Sequence, residues 1–300
     1  MTLLMIFVLA GCSKDKTNST TTTNTESMQQ LSTDENNVIN ASDQALNDAE
    51  SVLSQGALKS TVSDPCNTTV TTSGVVDDTI TKDIFYHGAD CRNKHDRSGH
   101  VLIKRRFDQS WGARGATVLV ILNNFSTTKI PNGKTIILNG TKHFENFSGH
   151  YLYELGLDSN VTSVVHRVWG NITATFENNT SKVWSIDRQN TYTGSLINLV
   201  MTEDGLGSAD NFNNLTIWGT DRNNEQFYSS ITTSVVYRQA CDFDPCSGIM
   251  VHQIPVASKI ATTTFGYDSN NNLITNGDCP TRYKVDWTVG NKSGTFFLPL

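Results

Sequence analysis

The chain has 300 residues, a net charge of −6 and no dense cluster of basic residues. Nucleic acid is therefore excluded as the main partner, because phosphate binding requires a concentrated field of Lys and Arg side chains. Ser, Thr and Asn account for 94 residues, 38 of them Thr, and this uncharged polarity favours strands and turns and excludes collagen, coiled coils and multi-span membrane proteins.

An apolar segment, LLMIFVLA, opens the chain at residues 3–10. It is too short to cross a bilayer as a helix but fits the hydrophobic part of a secretory signal. The segment Leu9-Ala10-Gly11-Cys12 resembles the bacterial lipobox, although no Lys or Arg precedes the apolar run. The resemblance implies that residues 1–11 are a lipoprotein signal peptide and that Cys12 carries lipid. Acyl chains contribute about 0.8 kcal/mol per buried CH₂ group and would anchor the protein to a membrane.

Residues 12–30 contain the lipidated Cys12 and a polar stretch rich in Ser, Thr and Asn. Residues 13–30 contain no aromatic or β-branched aliphatic side chain. Such a segment cannot bury enough apolar surface to fold, so the sequence predicts a disordered tether.

Residues 31–58 are predicted to contain a helix over Thr33–Ser54. Ser32 or Thr33 can cap its start, and Gly56 is a suitable stop. Six apolar residues lie at helical spacing along one side. They are Val38, Ala41, Ala45, Ala49, Val52 and Leu53. We expect this face to dock on the rest of the protein rather than to bind a partner, because tertiary packing supplies most of the stability of a helix.

Residues 59–300 are predicted to form a single antiparallel β domain. Tyr283–Val289 alternates apolar and polar residues without a break, as a strand with one wet face does. Turn signals such as Asp204-Gly205 separate the candidate strands, so successive strands should be neighbours. The strand candidates are Thr79–Tyr86, His100–Phe107, Thr117–Leu122, Thr135–Thr141, Val161–Thr175, Lys182–Thr193, Asn214–Thr220, Gln226–Arg238, Ile249–Val256, Lys259–Tyr267, Tyr283–Val289 and Thr295–Leu298.

The predicted fold class is therefore all-β. We expect a long antiparallel meander with the N-terminal helix docked on it. A curled sheet, a half-barrel and a two-sheet sandwich all fit the strand pattern.

Five cysteines follow Cys12, and export permits disulfides among them. Cys66 precedes one strand and Cys91 follows the next, so the two could pair across a hairpin-like unit. Such a bridge could contribute about 3 kcal/mol through loop entropy. A second bridge would come from Cys241, Cys246 and Cys279, and spacing alone leaves all three pairings open.

Several short sequence segments, some of which contain these cysteines, follow one another along the chain in a characteristic order. They are Cys66–Val70, Asp78–Thr81, His87–Cys91, Arg97–Ile103, Val120–Phe125, Asn139–Lys142, Cys241–Gly248 and Asn276–Cys279. Over residues 33–300 the order resembles a family of hypothetical lipoproteins of the Bacteroidota, with departures at Ala89-Asp90 and His100. The resemblance implies a lipid anchor, a β fold and disulfides Cys66–Cys91 and Cys241–Cys279, with Cys246 free. The family has no established activity that could be transferred to this chain.

His87, Cys91 and His95 have side chains of the types that bind zinc. Their four-residue spacing would align them on a helix, but Gly88 and the preceding strand indicate a loop. We therefore predict no metal site, and no motif in the sequence indicates a cofactor.

Candidate residues for glycan hydrolysis or glycan binding are scattered through the sequence. The carboxylates of Asp187, Glu203, Asp204 and Asp286 are predicted to be solvated on strand faces or turns. Tryptophans in alternating strands are expected in the core. Trp111 lies in a Gly-containing connection and is the one predicted to be exposed and able to contact a ligand.

The sequence thus predicts an exported, lipid-anchored protein of the cell envelope, located at the outer membrane, with a non-catalytic binding or structural role. Its expected partners are the membrane, through Cys12, and a glycan or an envelope protein. No catalytic residue is predicted. The alternative is a glycan-active enzyme whose carboxylates are assembled by the fold, and a third hypothesis is a passive spacer in a surface complex.

Overall fold

A computed structural model describes residues 17–55, 64–131, 133–275 and 277–300 of the chain. It contains one α-helix, α1 (Thr17–Ser54), followed by fifteen strands and three short 3-10 helices. The all-β fold class with one N-terminal helix is confirmed. The strands are β1 Thr68–Thr72, β2 Thr79–Ala89, β3 His95–Arg106, β4 Ala116–Lys129, β5 Thr135–Asn146, β6 Val164–Thr175, β7 Ser181–Ser195, β8 Asn198–Gly205, β9 Gly207–Ala209, β10 Phe212–Thr220, β11 Gln226–Arg238, β12 Pro245–Ile254, β13 Lys259–Tyr267, β14 Arg282–Val289 and β15 Lys292–Pro299. The 3-10 helices are Leu152–Glu154, Gln239–Cys241 and Pro255–Ala257.

All the strands belong to one antiparallel sheet, in which most strands pair with the next in sequence. The exceptions are around β8, which pairs with β7 and β11 but not with β9. In addition, β7 pairs with β10 along another part of its length. Of the three arrangements that fit the strand pattern, this single sheet corresponds to the curled sheet.

The curl of the sheet is visible where its distant ends meet. Nine strand spacings separate β4 from β15 in the sheet order, which would place them roughly 40 Å apart if the sheet were flat. Lys129, the last residue of β4, nevertheless donates a hydrogen bond of 2.6 Å to the carbonyl oxygen of Leu300, which directly follows β15. The sheet therefore bends round on itself and encloses a trough.

Helix α1 lies in this trough and crosses from the last strands to the first. Near its start Ser27 accepts a bond from Lys259 on β13, and near its end Asp48 accepts one from Tyr86 on β2. One side of α1 is buried at alternating three- and four-residue intervals, which is the spacing of one helical face. These residues are Met28, Leu31, Glu35, Val38, Ser42, Ala45, Ala49 and Val52.

The helix begins earlier than predicted. The tether prediction is wrong for residues 17–30, because these residues are helical and Met28 is fully buried. Burial against strands that are distant in sequence outweighs the weak helix preference of this Thr-rich segment. The predicted signal peptide, Cys12 and residues 13–16 lie outside the described residues.

One strand was missed at the predicted Asp204-Gly205 turn. Both residues belong to β8, where Gly205 pairs with Arg188 of β7. Close packing explains the glycine, since a Cβ atom there would lie 2.1 Å from the carbonyl oxygen of Asn214. Among the described residues, no helix has the combination of length and apolarity needed to cross a membrane.

Candidate functional site

A cavity of about 510 Å³ lies between α1 and the curled sheet. It occupies the side of α1 opposite the buried stripe. Its other walls come from β7, β8 and the end of β11, and the β2–β3 turn and the segment after β11 also line it. In these two segments the side chains of Arg92, Lys94 and Asp242 are 41–46% exposed, and we call this part of the lining the mouth. The volume is within the range of pockets that hold small molecules.

The wall supplied by α1 is polar. Asn40, Gln44, Asn47 and Ser51 line the cavity at intervals of four, three and four residues, so they form one helical stripe. With a rise of 1.5 Å per residue, the cavity-lining part of α1 up to Ser54 is roughly 20 Å long. The Oε1 atom of Gln44 is buried and has no hydrogen-bond partner.

The opposite wall is aromatic and aliphatic. Tyr192 of β7, Leu199 and Met201 of β8, and Tyr237 of β11 line it. Burial raises the pKa of both tyrosines above the ordinary value, so their hydroxyls stay protonated at any physiological pH. The cavity therefore combines a hydrogen-bonding wall with an apolar one.

Two disulfides fix the two sides of the mouth. Cys66–Cys91 and Cys241–Cys279 are both formed, with Cα–Cα distances of 5.1 and 5.2 Å, and Cys246 is free. These are the pairs that the family resemblance implied. The bridges indicate folding in an oxidising, extracytoplasmic environment.

Ion pairs join the two disulfide-bonded segments across the mouth. Asp242, next to Cys241, contacts Arg92 at 2.7 Å and Lys94 at 2.5 Å. We call this three-residue arrangement the clasp. Its side chains are 41–46% exposed, so each pair contributes little to stability, and the clasp can open at low cost.

Glu50 of α1 also lines the cavity, and its carboxylate is almost completely buried. Its Oε2 accepts a hydrogen bond of 2.7 Å from Trp111 Nε1, and its Oε1 accepts one of 3.1 Å from Ser54. Burial without a cationic partner raises the pKa of Glu50 from 4.5 to about 7.

The prediction that Trp111 is exposed is wrong. Its ring is 2% exposed and packs on Phe144 at a centroid distance of 4.7 Å. The side chain of Asn146 donates to the carbonyl oxygen of Trp111 and turns the β3–β4 connection inward. The indole is held by its bond to Glu50, so it is part of the core and does not line the cavity.

Buried polar contacts hold α1 to the inner face of the sheet. Arg188 is 0% exposed and donates to Glu203 at 3.0 Å and to Asp43 of the helix. Arg97 donates to Asp48 at 2.7 Å, and burial raises the pKa of that carboxyl despite the guanidinium. The position of α1 is therefore specified by charge as well as by shape.

Lys142 of β5 is fully buried and donates to Ser42 of α1, at 2.7 Å to its Oγ and at 3.1 Å to its carbonyl oxygen. Burial lowers the pKa of this lysine from 10.5 to about 7. Burial therefore favours the uncharged form of the Lys142 side chain.

A second cluster joins Glu35, Ser229 and His252. Ser229 Oγ and Glu35 Oε2 both lie next to His252 Nδ1, at 2.9 and 2.7 Å, and Thr263 Oγ1 lies 2.9 Å from Nε2. A catalytic triad places the serine and the acid on opposite ring nitrogens. Ser229 is also 0% exposed, so this cluster fixes α1 against β11 and β12 and cannot attack a substrate.

The four carboxylates considered for catalysis are not brought together. Glu203 is buried and forms an ion pair with Arg188, so the prediction that it is solvated is wrong. Asp187 pairs with Arg167, Asp204 accepts a bond from Ser234, and Asp286 pairs with Lys284. None of the four lines the cavity.

The residues considered for metal binding are engaged elsewhere. Cys91 is in a disulfide, and His95 pairs with Asp90 at 3.0 Å. His87 lies 3.0 Å from the hydroxyl of Thr69. Among the described residues, no group of three or more His, Cys, Asp or Glu side chains is arranged to hold a metal ion.

The other tryptophans divide between the two faces of the sheet. Trp184 and Trp287 are buried as predicted. Trp169 and Trp218 are only half-buried, and Trp169 stacks on His143 with a centroid distance of 4.9 Å.

Sequence reasoning missed the polar stripe of α1. A second helical spacing, at Asn40, Gln44, Asn47 and Ser51, was present in the sequence beside the apolar one.

Comparison of the chain with protein-family models, curated proteins and solved structures finds no significant match.

Proposed function

We propose that this chain is an exported, lipid-anchored protein of the cell envelope that binds a small elongated ligand without catalysis. The observation that carries the proposal is the cavity of about 510 Å³ beside α1. One of its walls can form hydrogen bonds and the other can pack on an apolar surface. Small-molecule sites commonly combine these two properties.

The architecture around the cavity supports a binding role. The two disulfides hold the sides of the mouth in place, and the exposed clasp of Arg92, Lys94 and Asp242 spans it. A rigid frame reduces the ordering cost of binding, while a weak surface contact allows ligand entry.

A ligand screen with a cavity-filling variant tests this function. Asn47 lines the cavity and is exposed, so Asn47→Trp should occupy the space without disturbing the core. Asn123, an exposed residue of β4 outside the cavity, provides the matched control Asn123→Trp. A ligand that raises the melting temperature of the wild type and of Asn123→Trp, but not of Asn47→Trp, is expected. A ligand that stabilises all three proteins equally would place binding elsewhere.

The membrane anchor is tested separately. The lipobox resemblance at Leu9–Cys12 and the resemblance of residues 33–300 to hypothetical lipoproteins of the Bacteroidota both support lipidation of Cys12 at the outer membrane. Labelled palmitate should enter the wild type and not Cys12→Ala when both are expressed in a bacterium with lipoprotein-processing enzymes. Equal labelling of the two proteins would contradict the anchor.

A glycan-active enzyme is the second candidate function. Glu50 favours it, because a cavity carboxyl with a pKa of about 7 suits a general acid. Under this hypothesis Glu50→Gln should abolish hydrolysis of an envelope glycan while leaving glycan binding intact. Hydrolysis by Glu50→Gln at the wild-type rate would refute this role.

A further inference from the structure

The apolar wall of the cavity continues to the protein surface at the β7–β8 turn. Leu199 and Met201 of β8 are buried in this wall, whereas Leu196, which also lines the cavity, is 46% exposed. Ile197, the next residue, is 90% exposed. The apolar wall therefore ends at large aliphatic side chains that face solvent.

A third exposed residue extends this edge of the cavity. Leu157 is 79% exposed and follows the first 3-10 helix, two residues of which line the cavity. The segment packs against the end of β7, because a Cβ atom on Gly156 would lie 2.7 Å from the Cβ atom of Ser195. We call Leu157, Leu196 and Ile197 the apolar rim.

Turn geometry does not account for the aliphatic residues of the rim. β7 ends at Ser195 and β8 begins at Asn198, so Leu196 and Ile197 are the two residues of a hairpin loop. Such loops favour Gly, Asn and Asp because of their backbone freedom and local hydrogen bonds. Exposed aliphatic residues gathered beside a pocket indicate contact with an apolar partner.

The wall supplied by α1 offers uncharged hydrogen-bonding groups. The amides of Asn40 and Asn47 and the hydroxyl of Ser51 line the cavity, and such groups both donate and accept hydrogen bonds. The Lys and Arg side chains of the lining are already in ion pairs, two of them in the clasp and Arg97 with Asp48. An uncharged polar group therefore fits the cavity better than a carboxylate or a phosphate.

The proposed anchor keeps a bilayer close to the protein. Five residue steps separate Cys12 from Thr17, the first residue of α1. An extended chain spans about 3.5 Å per residue, so a bilayer that holds the lipid of Cys12 is at most roughly 17 Å from the start of the helix.

We infer that the ligand of the cavity is an uncharged lipid with one acyl chain, of the monoacylglycerol type, which enters from a bilayer that the apolar rim touches. This inference rests on the proposed binding function and specifies its ligand. The acyl chain packs on Tyr192, Leu199 and Met201, and the hydroxyls of the headgroup bond to the polar stripe of α1. The apolar rim shields the chain from water as it passes into the cavity.

Calorimetric titration of the full chain with monolaurin, below the concentration at which it aggregates, tests the inference. Monolaurin should bind the wild type and Asn123→Trp equally, and Asn47→Trp should lose about 10-fold or more in affinity because its indole fills the cavity. Monocaprin should bind the wild type about 10-fold more weakly than monolaurin, since it buries two fewer methylene groups. Equal affinity of wild type and Asn47→Trp for monolaurin would overturn the inference, as would the absence of monolaurin binding.

Laurate tests the uncharged headgroup. It carries the same acyl chain with a carboxylate and should bind the wild type about 10-fold or more weakly than monolaurin, because the lining has no unpaired Lys or Arg among the described residues. Laurate binding as tight as that of monolaurin would refute this part of the inference.

The double variant Leu157→Ser with Ile197→Ser tests the apolar rim. Both side chains are exposed, so the variant should melt as the wild type does and should bind dissolved monolaurin within about 2-fold of it. Its uptake of monolaurin from phosphatidylcholine vesicles should be about 5-fold slower or more. Val183→Ser removes an equally exposed aliphatic side chain outside the cavity lining and should leave the uptake rate unchanged. Uptake by the double variant at the wild-type rate would refute the role of the rim.

Maltotriose separates failure of the lipid inference from failure of the binding function. If maltotriose binds the wild type but not Asn47→Trp, and monolaurin binds neither, the cavity is a binding site and the lipid inference is wrong. If neither compound binds the wild type more tightly than Asn47→Trp, both proposals fail.

Discussion

The indole Nε1 of Trp111 donates a 2.7 Å hydrogen bond to Glu50 Oε2 inside the core, across 61 residues of sequence. The bond joins the β3–β4 connection to the last turns of α1. It leaves a carboxyl group at the edge of the cavity in surroundings that disfavour its charge.

Replacing Glu50 with Gln should stabilise the protein more as the pH rises. The pKa of Glu50 is about 7 in the folded protein and near 4.5 when unfolded. The folded state therefore binds more protons between these values, and this group's contribution to stability is lost as the pH rises through about 7. We expect the stability of Glu50→Gln relative to wild type to increase by about 2–3 kcal/mol between pH 4.5 and 8.

Urea denaturation at several pH values measures this difference. Glu145 of β5 has no comparable burial, so Glu145→Gln is the control and should show no such trend. Parallel pH profiles for wild type and Glu50→Gln would contradict the raised pKa.

The opposite pH dependence is expected for Lys142. Its pKa is about 7 in the folded state and 10.5 when unfolded, so the unfolded state binds more protons between these values and stability rises with pH there. Lys142→Met removes the buried ammonium and should stabilise the protein most below pH 7. The gain should shrink as the pH approaches 10. Lys104→Met is the control, because Lys104 of β3 lies on the face of the sheet that is not buried, and it should show no such change. Guanidinium chloride denaturation at pH 6 and pH 10 distinguishes the two cases.

Removal of Arg188 should be severely destabilising. Arg188→Leu leaves the carboxylates of Asp43 and Glu203 buried without a counter-charge, which costs about 3–5 kcal/mol. Adding Asp43→Asn and Glu203→Gln to the same chain should restore part of the lost stability. Thermal unfolding of the single and triple variants measures both effects, and a single variant as stable as wild type would refute the ion-pair argument.

The disulfide pairs can be checked by peptide mapping without reduction. Peptides containing Cys66 and Cys91 should be linked, as should those containing Cys241 and Cys279. Of the five cysteines that the structure describes, Cys246 alone should react with an alkylating agent. Cys66→Ser combined with Cys91→Ser should lower the free energy of unfolding by about 3 kcal/mol through loop entropy. An alkylated Cys66 in the native protein would contradict the first bridge.

Local pattern was sufficient to predict much of the fold. Tyr283–Val289 was predicted as a strand from its alternation, and β14 covers Arg282–Val289. Thr17–Gln30 was not recognised as helical, because its signal is the burial of Met28 against distant strands rather than any periodicity of its own. Glu203 was misjudged for a similar reason, since its partner Arg188 lies on the neighbouring strand.

The candidate site could not be predicted from the sequence. Its walls are contributed by α1, the β2–β3 turn, β7–β8 and the segment after β11, which meet only because the sheet curls. The polar spacing of Asn40, Gln44 and Asn47 was visible, but a polar helical face is usually solvated. Only the geometry shows that this one faces a cavity.

The placement of α1 also constrains the order of folding. The residues that α1 contacts are synthesised long after the helix itself. Asp34 of α1 and its partner Arg222 are 188 residues apart, and Ser27 and its partner Lys259 are 232 residues apart. Contacts of such long range form slowly, because much chain must be ordered before they can form. A chain ending before Gln226 should therefore leave α1 open to proteolysis, whereas the full chain protects it. Helix α1 would therefore be among the last segments of the described chain to complete its packing, although it is synthesised before its partners.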